Sequence, residues 1–316
     1  MLDLQGELSR HYGSHRSGWA YAVRALSSLH DEAAPQLISF IEKKFIFGSE
    51  EGDFKKAYQP PQKEWVGFLH VPANVPVWFN PDYSPERLFN TQHFKEALTR
   101  CVGIFTLSSP LAEWVQKRFD GPVDTVLHPT HFPLQEFDSS CLSAGKSLRV
   151  VQLGFWLRKL CAIHELMLPS KNFDKLIVGA GQPRQKITAS LERRLRGIDC
   201  YDSDVRTVGF LSNDKYDDLL CSSVVFIDFY DTSANNAVVE CIARGTPIVC
   251  PPSKAVMDYL GPDYPLYFQN YQQARDLLND RQALLDGHNY LLDRNLRKRL
   301  SIESFVKSVS GSYILN

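Results

Sequence analysis

At 316 residues the chain is longer than one hydrophobic core usually supports, so two domains are expected. Its 44% hydrophobic and 22% charged residues are those of an ordinary globular protein and exclude a disordered or fibrous chain. A net charge of −1 supplies no global field to draw it to nucleic acid or to a membrane.

In chain order, the first half opens with a Gly/Ser-rich turn, "YGSHRSG", followed by helical spacing over Ser17 to Leu29. "EWVGFLHV" (Glu64 to Val71) and "CVGIFTLS" (Cys101 to Ser108) read as strands. "SPLAEWVQKRF" (Ser109 to Phe119) reads as a helix with a serine cap and Pro110 in its first turn. "DTVLHPTHFP" (Asp124 to Pro133) reads as a strand leaving the domain, and the polar stretch Gln135 to Lys146 as a linker.

The second half alternates. Short apolar, β-branched runs occur at Ser147–Gly154, Asp174–Gly181, Val205–Phe210, Val224–Phe229, Thr246–Cys250 and Pro265–Phe268. Helix-like segments separate most of them, most clearly Asn213–Ser223 and Asn235–Gly245. Strands apolar throughout, alternating with helices, predict a parallel sheet covered on both faces, with ligands at the carboxyl ends of the strands.

The turn between the fourth run and its helix, "YDTSANNAVVE", places Asn235 and Asn236 at a helix N-terminus, where the dipole and free N–H groups favour an anion. Small residues let a phosphate approach the backbone, and Glu240, one turn on, could accept hydrogen bonds from sugar hydroxyls. That combination suits a nucleoside diphosphate. The alternative is an asparagine pair that caps a helix beside a surface glutamate.

In their order, "VVQLG", "LIVGAG", "TVGFLSNDKYDDLLCSS" and "VVECIARGTPIVCPPSKAVMDYLG" resemble the nucleotide-sugar domain of GT-B glycosyltransferases, in particular the retaining family 4. The resemblance covers Leu148 to Phe268. "GSHRSGWAYAVRALSSL" is similar to that family's Gly-rich turn and first acceptor-domain helix, and "SIESFVKSVSGSYILN" to its last helix, which crosses back to the first domain.

The resemblance implies an α/β GT-B fold of two Rossmann-like domains facing a cleft. Residues 1–134 would bind the acceptor, 147–296 the nucleotide sugar, and 297–316 form the returning helix. On this reading Glu240 would hold the ribose; Ser233, Asn235 and Asn236 the diphosphate; Gly154 and Gly179 would end strands; and Gly209 and Phe210 would meet the base. Arg158 and Lys159, at a shifted spacing, would clamp the diphosphate, and Gly13 and Ser14 would line the acceptor-domain turn. Thr232 stands where the family's first glutamate belongs; Asp231 beside it, or the Thr232 hydroxyl, would act on the donor sugar. His70, after a strand of the first half, would face the reacting sugar, with a purely structural role as the alternative.

The implied reaction is sugar transfer from a nucleotide-sugar donor to a carbohydrate, protein or other hydroxyl acceptor, with retention and without a metal or a further cofactor. A nucleotide-sugar epimerase of the same fold and a non-catalytic partner protein are the alternatives. "YDSD" (Tyr201 to Asp204), "ERRLR" (Glu192 to Arg196) and "RNLRKR" (Arg294 to Arg299) are expected to be solvated. The aromatics Trp65, Trp78, Phe79, Tyr83 and Phe89 could bind sugar faces or fill a core. The seven cysteines contain no CxxC pair, so no zinc site is expected, and several fall in apolar runs, as free thiols of a reducing compartment would. The start is not a signal peptide, and no apolar run reaches about 18 residues. A cytoplasmic location is therefore expected, with a peripheral place at the inner membrane face left open and nucleic acid not expected as a partner.

Overall fold

The computed structural model describes residues 1–7, 18–46, 61–79, 84–179, 183–198 and 202–315. The chain divides into two compact units. One holds Met1–His131, Asp231–Ala234 and Lys298–Asn316; the other holds Phe132–Tyr230 and Asn235–Arg297.

The first unit is built on a parallel sheet whose order follows the sequence: β1 (Gln36–Ile38), β2 (Trp65–Leu69), β3 (Cys101–Thr106) and β4 (Val123–Thr125). Crossovers of one hand that all step the same way stack their helices on one face. Trp65, Leu69 and Ile104 point to that face and pack against Ile41, Phe45, Leu88, Phe94, Leu111 and Val115 of the connecting helices. Alternate residues of the same strands, Val66, Phe68 and Phe105, point the other way. Their cover comes from Leu2 and Leu4, from Ala22 and Leu26 in and after the Trp19–Ala25 helix, and from Phe305, Val309 and Ile314 in and after the Ile302–Ser310 helix. Phe68 stacks on Phe105 at 4.9 Å and on Phe305 at 6.1 Å. The approach is close enough that a Cβ on Gly103 would lie 2.5 Å from the Ile314 side chain. The returning helix is thus one wall of the first unit's core. The long strand expected from Asp124 is only the three residues of β4, because Pro129 and Pro133 carry no N–H for a ladder.

The second unit carries a five-stranded parallel sheet in the order β7 (Arg206–Val208), β6 (Phe173–Val178), β5 (Leu148–Gln152), β8 (Val224–Phe226), β9 (Ile248–Val249). The chain starts in the middle, builds to one edge, then returns to build the other. The reversal leaves a crevice between the carboxyl ends of β5 and β8, which pair directly. Val150, Val151, Val224, Val225, Ile248 and Val249 are fully buried, as strands covered on both faces must be. The edge strand β7 departs from that expectation: Arg206 and Thr207 are exposed, and Arg206 and Arg149 both pair with Asp174, at 2.5 and 3.0 Å. The Pro265–Phe268 run contributes only a single bridge, Tyr267 to Cys250. Residues Gln135 to Lys146 fall in the second unit, where the Phe137 N–H donates to the Arg244 carbonyl at 2.9 Å. The Asn236–Arg244 helix stops at Gly245, whose φ of +68° a side chain would strain, and whose Cβ would lie 2.8 Å from Leu292.

Candidate functional site

The crevice of the second unit is lined by the segments that leave β5 and β8. After β5, Gly154 turns with φ +84°, and a Cβ there would lie 3.4 Å from the Arg158 Nε. The chain then runs back alongside the segment after β8. Lys159 N–H donates to the Asp228 carbonyl and Tyr230 N–H to the Leu157 carbonyl, both at 2.9 Å. Leu157 is held at φ +55°, a left-handed conformation that survives because its neighbours fix it. Gln152, buried at the end of β5, secures the same loop: its Nε2 donates to the Lys159 and Leu160 carbonyls at 3.2 and 3.1 Å, and its Oε1 accepts from Ile163 N–H at 3.0 Å.

Arg158 and Lys159, neighbours in sequence, meet opposite surroundings. Lys159 donates to the buried Asp228 carboxylate at 2.9 Å, and that carboxylate also takes the Tyr271 hydroxyl at 2.9 Å. Lys159 is therefore ion-paired within the second unit. Arg158 bonds only neutral oxygens among the described residues: the Asn235 Oδ1 at 2.6 Å and the Trp156 carbonyl at 3.2 Å. Its Nε is buried without a partner, and so is the Asn235 Nδ2. Burial pulls the Arg158 guanidinium down to about 10. Asn235 also caps the Asn236–Arg244 helix, its Oδ1 accepting the Ala237 N–H at 3.2 Å. Asn236 is exposed at the head of that helix. A half-buried cation without a carboxylate, two unmatched N–H donors and a helix N-terminus together make a site for an anion.

Glu240 is 2% exposed. Its carboxylate accepts a hydrogen bond from Arg244, one turn on, and Arg244 also reaches Asp217 at 2.5 Å. The neighbouring Tyr216 hydroxyl is pushed up, first by burial and then by the Glu240 charge. Gly179 follows β6 with φ +77° and donates its N–H to the Val208 carbonyl at 2.9 Å. Gly209 and Phe210, at the end of β7, are exposed, Phe210 by 80%.

The remaining candidates belong to the first unit. The Asp231–Ala234 turn is grouped there: Asn74 N–H donates to the Asp231 Oδ2 at 2.9 Å, and the Ser108 and Ser233 hydroxyls are 3.2 Å apart. Thr232 is buried, its hydroxyl 3.5 Å from the Ser233 carbonyl. The half-buried His70 follows β2, with its ring stacked on Phe40 at 4.1 Å and tilted against Trp19 at 4.3 Å, and its Nε2 2.7 Å from the Ser39 carbonyl. Trp65 and Phe89 are core residues, the Trp65 Nε1 donating to the Ala97 carbonyl at 2.8 Å, and Trp78 meets Phe79 edge-on. Gly13, Ser14 and Tyr83 lie outside the described residues.

Two polar motifs prove structural. Glu192, expected on a solvated face, is fully buried: it accepts Leu160 N–H at 2.7 Å, the Tyr230 hydroxyl at 3.0 Å and Arg196 at 3.1 Å. It thereby supports the Arg158 loop from behind. Asp202 of the "YDSD" stretch accepts a hydrogen bond from the buried Lys175. Among the described residues no group of side chains could hold a metal ion, and no helix is long and apolar enough to cross a membrane.

No family model matches the sequence, and no curated protein is significantly similar to it. Solved structures are. TarM matches with a TM-score of 0.60 at 14% identity, over 94% of this chain and 58% of that one; a variant of S. aureus TarM has been solved with UDP and α-GlcNAc-glycerol. Anabaena HepE with UDP matches with a TM-score of 0.57 at 12% identity, over 92% of this chain and 81% of that one. HepE with UDP-glucose matches with a TM-score of 0.56 at 13% identity, over 78% and 71%. The chain thus spans a little over half the length of TarM. With its two Rossmann-like units the present chain has the GT-B fold.

Proposed function

We propose that the protein is a glycosyltransferase that takes a sugar from a nucleoside-diphosphate donor and passes it to a hydroxyl acceptor, with retention of configuration, as in the family 4 enzymes it resembles. The observation that carries this reading is Arg158. A half-buried guanidinium bonded only to neutral oxygens, beside an unmatched Asn235 amide at a helix N-terminus, is completed by a diphosphate. The diphosphate becomes more negative as the glycosidic bond breaks, so a fixed cation favours the transition state over the ground state. Such catalysis needs positioning and charge stabilisation and no metal. Glu240 would hold the ribose, and Asp231 or Thr232 would orient the donor sugar.

UDP is the first nucleotide to test, since HepE and TarM structures contain it. A thermal-shift series with nucleoside diphosphates and their sugars should raise the melting temperature for at least one, because a ligand bound only to the folded state stabilises it by mass action. No shift with any of them would end the reading. A second reading, a partner protein that binds a nucleotide without turning it over, draws on the buried Thr232 at the position of the family's glutamate. Binding without release of sugar to any acceptor or to water would favour it.

A further inference from the structure

Glu42 is fully buried, and the donor-site reading gives it no task. It lies in the first turn of the Ile41–Ile46 helix. Its Oε1 accepts the N–H groups of His70 at 2.8 Å and Val71 at 2.6 Å, the two residues that follow β2. Its Oε2 is buried with no hydrogen-bond partner. Two consecutive backbone donors at a strand end thus depend on one side chain, and a smaller residue would leave both orphaned. The segment so held runs from His70 to Asn74, whose N–H donates to Asp231.

We propose that Glu42 is a positioning residue for sugar transfer: by clamping the His70 and Val71 N–H groups it fixes the path of residues 70–74 and, through Asn74, the Asp231 carboxylate. Its catalytic consequence rests on the proposed function; the clamp itself does not. Burial holds Glu42 as the acid up to about 7. Ionisation puts an uncompensated charge in that dry site, and a local opening that hydrates it relieves the cost, so the clamp loosens as pH rises through that value. The other ionisable groups nearby are His70 on the held segment, Glu7 with its carboxylate on the Ser39 hydroxyl, Lys43 and Lys44 on the same helix, and Glu86 and Arg87, exposed on the Pro85–Asn90 helix packed against it. Backbone N–H groups alone oppose the effect of burial on Glu42.

The test compares wild type, Glu42→Gln and Glu42→Ala by amide exchange across residues 65–74 and by release of UDP from UDP-glucose. In Glu42→Ala, exchange at residues 70–74 should quicken about tenfold and kcat fall about tenfold, with UDP affinity within about twofold of wild type. In wild type, protection of that segment and kcat should both fall between about pH 6 and about pH 8, whereas Glu42→Gln, which keeps an oxygen acceptor but cannot ionise, should stay flat. A folded Glu42→Ala protein with wild-type exchange at residues 70–74 overturns the proposal, and so does a Glu42→Gln protein that repeats the wild-type pH response. If Glu42→Ala does not fold, the flat response of Glu42→Gln decides. If wild type neither binds UDP nor releases it, the donor reading fails, while amide exchange still judges the clamp.

Discussion

The two parallel sheets differ in how they are wound. The first runs in sequence order from β1 to β4 and never reverses among its described strands; the second starts at β5 and builds outward both ways. A sheet that reverses opens a crevice at its strand ends, and a sheet that does not keeps its connections on one face. The first sheet consequently needs a cover for its second face, which Leu2, Leu4, Ala22 and Leu26 supply together with Phe305, Val309 and Ile314. The second sheet needs no such help and carries the unmatched Arg158 in its crevice. The ionisable group at a strand end also differs in sign: an acid, Glu42, bonded to the residues that follow β2, and a base, Arg158, after β5. Winding thus separates the element that completes a core from the crevice that carries an unmatched cation.

The comparison breaks most visibly at the returning helix. Removing residues 302–315 uncovers Phe68 and Phe105 and should cost the first unit about 6 kcal/mol, at about 2 kcal/mol for each large apolar side chain lost. Hydrogen exchange should show β2 and β3 unprotected and β5 and β8 still protected; equal loss in both sheets would contradict the division. Next in size, Arg244→Ala leaves Glu240 and Asp217 buried without their cation and should cost about 3–5 kcal/mol in a denaturant titration. A third test uses pH. Glu42 stands above its ordinary 4.5, at about 7, so the folded state binds the extra proton and wild-type stability falls as pH rises between those values. Relative to Glu42→Gln, which has no such proton, the loss should approach about 3 kcal/mol above pH 7. Last, Arg158→Ala should leave stability unchanged or slightly improved, because an unmatched guanidinium is removed, yet lower kcat about 100-fold. A folded Arg158→Ala enzyme with wild-type turnover would detach Arg158 from the chemistry.

Much of the second sheet is legible in the sequence because strands buried on both faces write themselves as unbroken apolar runs, as "LRVVQ" and "VVF" do. Edge strands do not: Arg206 and Thr207 interrupt β7 because solvent reaches them. In the first unit β1 is three residues long and gives almost no periodic signal. The Asn235 cap could be read locally, since a cap acts within two residues. The contrast between Arg158 and Lys159 could not, because it is decided by Asp228, 69 residues away from Lys159. Glu192 and Glu42 look like surface residues among their charged neighbours, and only tertiary contacts 28 to 38 residues distant turn them inward. Positions whose partners lie far along the chain carry no local signature.

The wall that Phe305 and Ile314 supply also sets an order of events during synthesis. On the ribosome, β1 to β4 emerge first, yet one wall of their core arrives last. Until residue 314 has left the exit tunnel, Phe68 and Phe105 lack one wall of their apolar cover, whereas the second sheet has all its strands by residue 249. Vectorial folding therefore runs backwards here: the later half closes first, and the earlier half waits as a natural client for chaperones.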